Sequence, residues 1–149
     1  MVAEVIALKM SEFSSTVELD GTLRIDLCRD DDELAKHPTF YEHTTFLQKP
    51  FVPEVLAWLK ERAQMRMESD LVFPNTDGRL LNKATVYRQV KESFKRSGIS
   101  LDRKGGRTLR NTFAVQEILS GTSPEVVQSK LGLFEDRSME IYVKAASGE

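Results

Sequence analysis

The side chains best able to do chemistry crowd into one stretch of this 149-residue chain. Residues 79–110 carry ten basic groups (Arg79, Lys83, Arg88, Lys91, Lys95, Arg96, Arg103, Lys104, Arg107 and Arg110) against only Glu92 and Asp102, a local net charge of +8. Residues 1–78 hold eight basic and fifteen acidic side chains, residues 111–149 three and six, and the whole comes to −2. Lys and Arg at such density favour a polyanion, because each one set against a phosphate releases condensed counterions. A solvated basic helix is the plainer reading of the same charges. Arg88, Lys91 and Lys95 recur at intervals of three and four, which puts them on one helical face. Together with Lys83, Arg103 and Lys104 they are the candidate contacts to nucleic-acid phosphates.

Other chemistry is sparse. Cys28 is the only cysteine, so no internal disulfide forms, and no cysteine–histidine set has zinc spacing. His37 and His43 stand in an acidic, irregular segment without a metal partner. No glycine-rich phosphate cradle is present, and neither a metal, a cofactor nor a small-molecule ligand is expected. Taken singly, Tyr142 on its apolar stripe reads as packing. Arg110, seven residues before Glu117, reads as half of a surface pair on one helix face. Lys36 reads as a solvated turn lysine, and Arg107 and Lys104 as loop charges.

The length suits one ordinary domain, and 40% apolar residues in helical and strand periods exclude dominant disorder. No run approaches the ~20 apolar residues of a membrane helix, and Met1-Val2-Ala3-Glu4 does not begin a signal peptide. A reduced, cytoplasmic protein is expected.

These residues need elements to position them. Val2 to Met10 reads as the end of a helix. Thr16–Leu19 and Thr22–Leu27 alternate around Asp20-Gly21, predicting a hairpin; Arg29 to His43 reads as an extended turn and Thr44 to Phe51 as a third strand. Pro53 opens a helix with a stripe of Val55, Leu56, Leu59 and Ala63, Trp58 beside it. Asn82 caps a helix with Val86, Val90 and Phe94 inward, ended by Ser97-Gly98. A helix from about Thr108 carries Leu109, Phe113 and Ile118 to Gly121; Ser123-Pro124 starts another that stops at Gly132; a last one begins near Asp136. The expected fold class is α+β: mostly helical, with a small three-stranded antiparallel sheet near the N-terminus.

The segment Arg107-Thr108-Leu109-Arg110-Asn111-Thr112-Phe113-Ala114, followed by Gly121-Thr122-Ser123, Leu131-Gly132 and Glu140-Ile141-Tyr142, resembles the catalytic domain of tyrosine recombinases, the phage integrase family. That family's pattern runs His-x-Leu-Arg-His-x-Phe-Ala, a helix ending in Gly-x-Ser/Asp, a short helix with Leu-Gly-His, and a tyrosine about ten residues beyond. Val72-Phe73-Pro74 to Gly78-Arg79-Leu80-Leu81 resembles its Leu-Phe-Pro-x-x-x-Gly-x-Pro-Leu segment, and Glu4 to Phe13 its Glu-Leu-x-x-Leu-x-Trp-x-Asp-Ile. The resemblance implies a catalytic domain over 1–149, a fragment without the family's N-terminal core-binding domain, acting on double-stranded DNA through a 3′-phosphotyrosine intermediate. It assigns Tyr142 as nucleophile and Arg110 as a phosphate clamp.

The departures bear on activity. Met1 stands where the family has its first arginine, Arg107 replaces the first histidine, and Leu133 replaces the histidine of Leu-Gly-His. Lys36, with Lys49 behind it, is the candidate for the family's hairpin lysine. The chain is therefore expected to be inactive in strand exchange by itself, with self-association possible through the C-terminal segment. Two other readings stay open: a degenerate integrase remnant that only binds DNA, and a regulator using residues 108–131 as a helix-turn-helix.

Overall fold

The computed structural model describes residues 2–29, 41–100, 105–133 and 137–148. Lys36, His37, Arg103 and Lys104, with Met1, lie outside the described residues. The contacts gather into two compact units, Ala7–Arg79 and Met1–Ile6 with Leu80–Glu149.

In the first unit, strands β1 (Leu23–Arg29) and β2 (Tyr41–Leu47) pair antiparallel, Leu23 opposite Leu47 and Asp26 opposite Thr44. Strand alternation makes the sheet two-faced: Leu23, Ile25 and Leu27 are buried, while Arg24, Asp26 and Cys28 face outward. On the outer face Thr44 Oγ1 donates to Asp26 Oδ1 across the strands at 2.8 Å. Two strands, not three, form the sheet among the described residues. The expected turn at Asp20-Gly21 forms, with Gly21 N donating to Glu18 O, Glu18 N to Thr22 O, and Asp20 Oδ1 accepting from Thr22 N, but Thr16–Leu19 does not become a strand. Its alternation has no surface to cover, since Val17 and Leu19 are both exposed. The strand next to β1 on that side shrinks to a bridge between Phe13 and Ile25. Strand β2 starts three residues earlier than expected and takes in His43.

Helix α2 (Val52–Gln64) follows a single 3-10 turn, Lys49–Phe51. Its inward face follows the expected stripe only in part, with Val55, Trp58 and Leu59 half-buried. Val52 and Arg62 are buried, whereas Leu56 and Ala63 are exposed. Trp58 and Arg62, one turn apart, hold the segment 69–73: Trp58 Nε1 donates to Val72 O at 3.0 Å, Arg62 Nε to Leu71 O at 2.9 Å and Arg62 Nη2 to Ser69 O at 2.7 Å. An alanine cannot span that gap; an arginine buries its stem and brings donors to carbonyls that would otherwise lack them.

The second unit is helical: α1 (Val2–Ile6), α3 (Lys83–Arg96), α4 (Gly106–Leu119), α5 (Pro124–Leu131) and α6 (Arg137–Ser147). Asn82 Oδ1 caps α3 by accepting from Ala84 N at 2.8 Å, and Ser123 accepts from Val126 N at the start of α5. Gly132 ends α5 at φ 61°, a left-handed backbone that glycine adopts without the Cβ penalty. Ala114, Val127, Leu131 and Met139 form the core where α4, α5 and α6 meet, with Phe113, Ile118, Leu133 and Tyr142 packed around it. Leu109, expected inward, is exposed; the buried face of α4 runs through Arg110, Phe113, Ala114, Glu117 and Ile118 instead.

No helix among the described residues is long and apolar enough to cross a membrane.

Candidate functional site

The first two turns of α4 hold the residues of interest. The helix begins at Gly106, where an added Cβ would sit 2.9 Å from Val2 Cγ2, so the close approach of α1 requires a residue without a side chain. From there Arg107 and Asn111 lie one turn apart on one face, and Arg110 points toward the α5 terminus. The N-terminal end of the helix macrodipole adds a positive partial charge beside both arginines.

Arg110 is half-buried, and its Nη2 donates to Leu131 O, the last carbonyl of α5, at 2.6 Å. It does not pair with Glu117. That carboxylate takes Lys130 Nζ at 2.6 Å and Thr122 Oγ1 at 3.2 Å, tying α4 to α5. Of the five N–H donors on a guanidinium, Arg110 uses one among the described residues. The other four meet no acceptor among the described residues. Arg107 is exposed, with no hydrogen-bonded partner among the described residues.

Tyr142 arrives from α6. Its ring packs against the α4–α5–α6 core, one turn after the buried Met139, and its hydroxyl donates to Asn111 Oδ1 at 3.0 Å. Asn111 is the residue after Arg110 and one turn beyond Arg107. The phenol is therefore fixed to the same two turns that carry both arginines. Ile141 and Val143, on the same apolar run, point outward. An open groove of 520 Å³ between α5 and α6, lined by Gln128, Met139 and Val143 among others, contains none of these site residues.

Leu133 packs on the core and offers no donor. Lys49 stands in the 3-10 turn after β2, its stem against Gly21. On α3, Lys83, Arg88, Lys91 and Lys95 are all exposed; Arg88 reaches Thr85 Oγ1, and Arg96 pairs with Glu92. The helix-turn-helix reading loses ground here. Val127 and Leu131 of α5 are buried, and its one lysine, Lys130, is engaged by Glu117. Sequence reasoning missed Asn111 as a site residue; only its place inside the arginine motif pointed to it.

Comparison with known proteins places this geometry. Over 153 residues the chain is 24% identical to the tyrosine recombinase XerD of Proteus mirabilis, covering 98% of this chain and 44% of that protein. It is 31% identical over 85 residues to the tyrosine recombinase XerH of Helicobacter pylori, 57% of this chain and 24% of that protein. The chain thus spans less than half the length of these curated relatives. Among solved structures, the XerH site-specific recombinase bound to palindromic difH substrate in a post-cleavage complex superposes with a TM-score of 0.77 at 24% identity, over 98% of this chain and 38% of that one. The XerA recombinase superposes with a TM-score of 0.72 at 21% identity, over 95% and 47%. These likenesses establish the fold. The model of the phage integrase family matches residues 4–149, and with a match over nearly its whole length the chain belongs to that family.

Proposed function

We propose that this chain is the DNA-binding catalytic-domain portion of a tyrosine recombinase, acting in the cytoplasm on double-stranded DNA. The hydrogen bond of the Tyr142 hydroxyl to Asn111, beside Arg110, is the observation that carries the reading. It fixes the candidate nucleophile to the turn of α4 that also carries Arg110, whose guanidinium is directed by Leu131 O.

A phenol with a pKa of about 10 attacks phosphorus poorly at neutral pH, so it needs a positive field or a base nearby. Arg110 and the α4 terminus supply the field. As the phenolic oxygen bonds to phosphorus, charge grows on the nonbridging oxygens, and the planar fork of Arg110 stabilises it. Arg107 adds a second donor but cannot accept a proton as a histidine does. The departing 5′ oxygen needs an acid, and Lys36 is the candidate. Lys83, Arg88, Lys91, Lys95, Arg103 and Lys104 hold the duplex through its phosphates. The energy of the broken bond is kept in the phosphotyrosine, so the reaction needs no cofactor. The outward Ile141 and Val143 suit self-association through α6.

With Arg107 and Leu133 in place of the usual histidines, tyrosine attack by this chain is slow and strand exchange does not follow. Losses within one catalytic unit combine non-additively. A pool of nicked suicide duplexes tests this. A covalent protein–DNA band accumulates slowly with the native chain and is absent with Tyr142→Phe. A band that survives Tyr142→Phe, or no duplex binding even at low salt, overturns the proposal.

A further inference from the structure

The family pattern does not name what holds Tyr142. Its ring rests on the α4–α5–α6 core, yet its reacting atom is restrained by one polar contact among the described residues, the 3.0 Å hydrogen bond to Asn111 Oδ1. Thirty-one residues separate the two in sequence, so only the packing of α6 on α4 brings them together. Both side chains reach solvent, and the amide stands one residue from Arg110 and one turn from Arg107.

We infer that Asn111 is a positioning residue for Tyr142, holding the phenolic hydroxyl at the arginine end of α4 in the geometry from which it attacks. The inference rests on the recombinase reading for its catalytic consequence, though not for the hold itself. Asparagine fits this role chemically. Its carbonyl oxygen accepts the phenolic hydrogen while leaving the lone pairs of the phenolic oxygen open to phosphorus. It carries no charge, so it neither repels a phosphate nor competes for Arg110, as a carboxylate would. Its amide NH2 lies beside the carbonyl, and a rotation about the last side-chain bond exchanges acceptor for donor as charge develops on the phenolic oxygen. In the attack the oxygen–phosphorus bond forms, the phosphorus–O5′ bond breaks, the phenolic proton passes to water and the 5′ oxygen takes one up. Asn111 gives and takes no proton; it orients.

The test compares the native chain with Asn111→Ala and with Asn111→Asp, which keeps an acceptor oxygen at the same reach. Tyrosine labelled with carbon-13 at the ring carbon bearing oxygen is followed by NMR, the signal being assigned with Tyr142→Phe. O-acetylation of Tyr142 by N-acetylimidazole is timed with the exposed Tyr87 as internal reference. In Asn111→Ala the Tyr142 signal moves and acetylation quickens by about threefold or more, the range a single hydrogen bond allows. The methyl signals of Val127 and Leu131 and the Tyr87 rate stay as they were, and Asn111→Asp restores the slow rate. An unchanged Tyr142 signal and rate in Asn111→Ala overturns the hold. Movement of the core methyls in both variants overturns it too, since Asn111 is then structural.

On the nicked-duplex pool, the adduct rate of Asn111→Ala at saturating DNA falls by about tenfold or more, as displacement of a reacting atom by an ångström predicts. The duplex concentration giving half the maximal rate is unchanged. An adduct rate equal to that of the native chain overturns the positioning role. A native chain that forms no adduct overturns the recombinase reading, and the NMR and acetylation results then decide the hold by themselves.

Discussion

Arg62 and Arg110 are both drawn in from the surface, and both donate to backbone carbonyls, but they end in different trades. In the Ala7–Arg79 unit Arg62 is 3% exposed and divides its fork between Leu71 O and Ser69 O. It fastens α2 to an irregular segment, and burial leaves it no face for a ligand. In the helical unit Arg110 is half-buried and, among the described residues, gives one N–H to Leu131 O, one position before the asparagine that accepts from the Tyr142 hydroxyl. One contact locks its direction without consuming its donors. An arginine serves chemistry when it is anchored but not saturated, and the number of carbonyls around it decides which case holds.

Reciprocal substitutions break the comparison most sharply. Arg110→Ala lowers the Tyr142–DNA adduct by about 10²–10³-fold, the loss typical of one preorganised donor. Its effect on unfolding is small, about 1 kcal/mol for one hydrogen bond. Adduct yield and urea midpoint, measured on the same protein, separate the two effects. Arg62→Ala reverses the pattern. It leaves two inward carbonyls without donors and a void where the stem lay, so stability falls by about 2–4 kcal/mol. Residual adduct formation, corrected for the folded fraction, stays near that of the native chain. Equal stability losses at both positions would erase the distinction.

A third measurement extends the contrast to charges that are neither anchored nor saturated. Arg88, Lys91 and Lys95 are exposed on one face of α3. Replacing one of them with alanine weakens duplex binding about equally across sequences and reduces the salt slope by about one. Titrations of duplex DNA at two ionic strengths measure that slope; affinity that ignores salt would remove α3 from the interface.

The smallest effect concerns Glu125 in the first turn of α5, the helix whose last carbonyl anchors Arg110. Hydrogen bonds from its own backbone N–H and from the Ser123 hydroxyl hold its carboxyl below the ordinary value of 4.5. A depressed folded pKa contributes stability above the unfolded value, and that contribution is lost as pH falls through the folded one. The native chain is therefore slightly more stable than Glu125→Gln near neutrality, and the gap closes on acidification below the ordinary carboxylate range, as pH falls through the lowered folded value. Thermal unfolding across that range checks the sign.

Much of this was legible in the residues. Asn82 before α3, Ser123-Pro124 before α5 and Gly132 after it are local signals, each satisfied by backbone groups within four residues. The recombinase pattern was legible for a related reason: its residues keep fixed offsets along helices, and offsets survive in sequence. The turn at Asp20-Gly21 forms as expected, but the alternation of Thr16–Leu19 misled, because alternation says which residues share a face, not whether anything covers that face. Leu109 misled likewise: Phe113 and Ile118 face the core as expected, but the face they share continues through Arg110 and leaves Leu109 outside it.

By itself the sequence determined the helices, their caps and ends, the basic character of 79–110, and the family. Each follows from neighbours along the chain or from composition. Only the tertiary structure decided that Arg62 is buried, that Glu117 takes Lys130 and leaves Arg110 to Leu131 O, and that Asn111 holds Tyr142. Those choices pair groups up to thirty-one residues apart. Several partners of suitable chemistry exist for each in the sequence, and the packing of α4, α5 and α6 on one apolar core selects among them by distance.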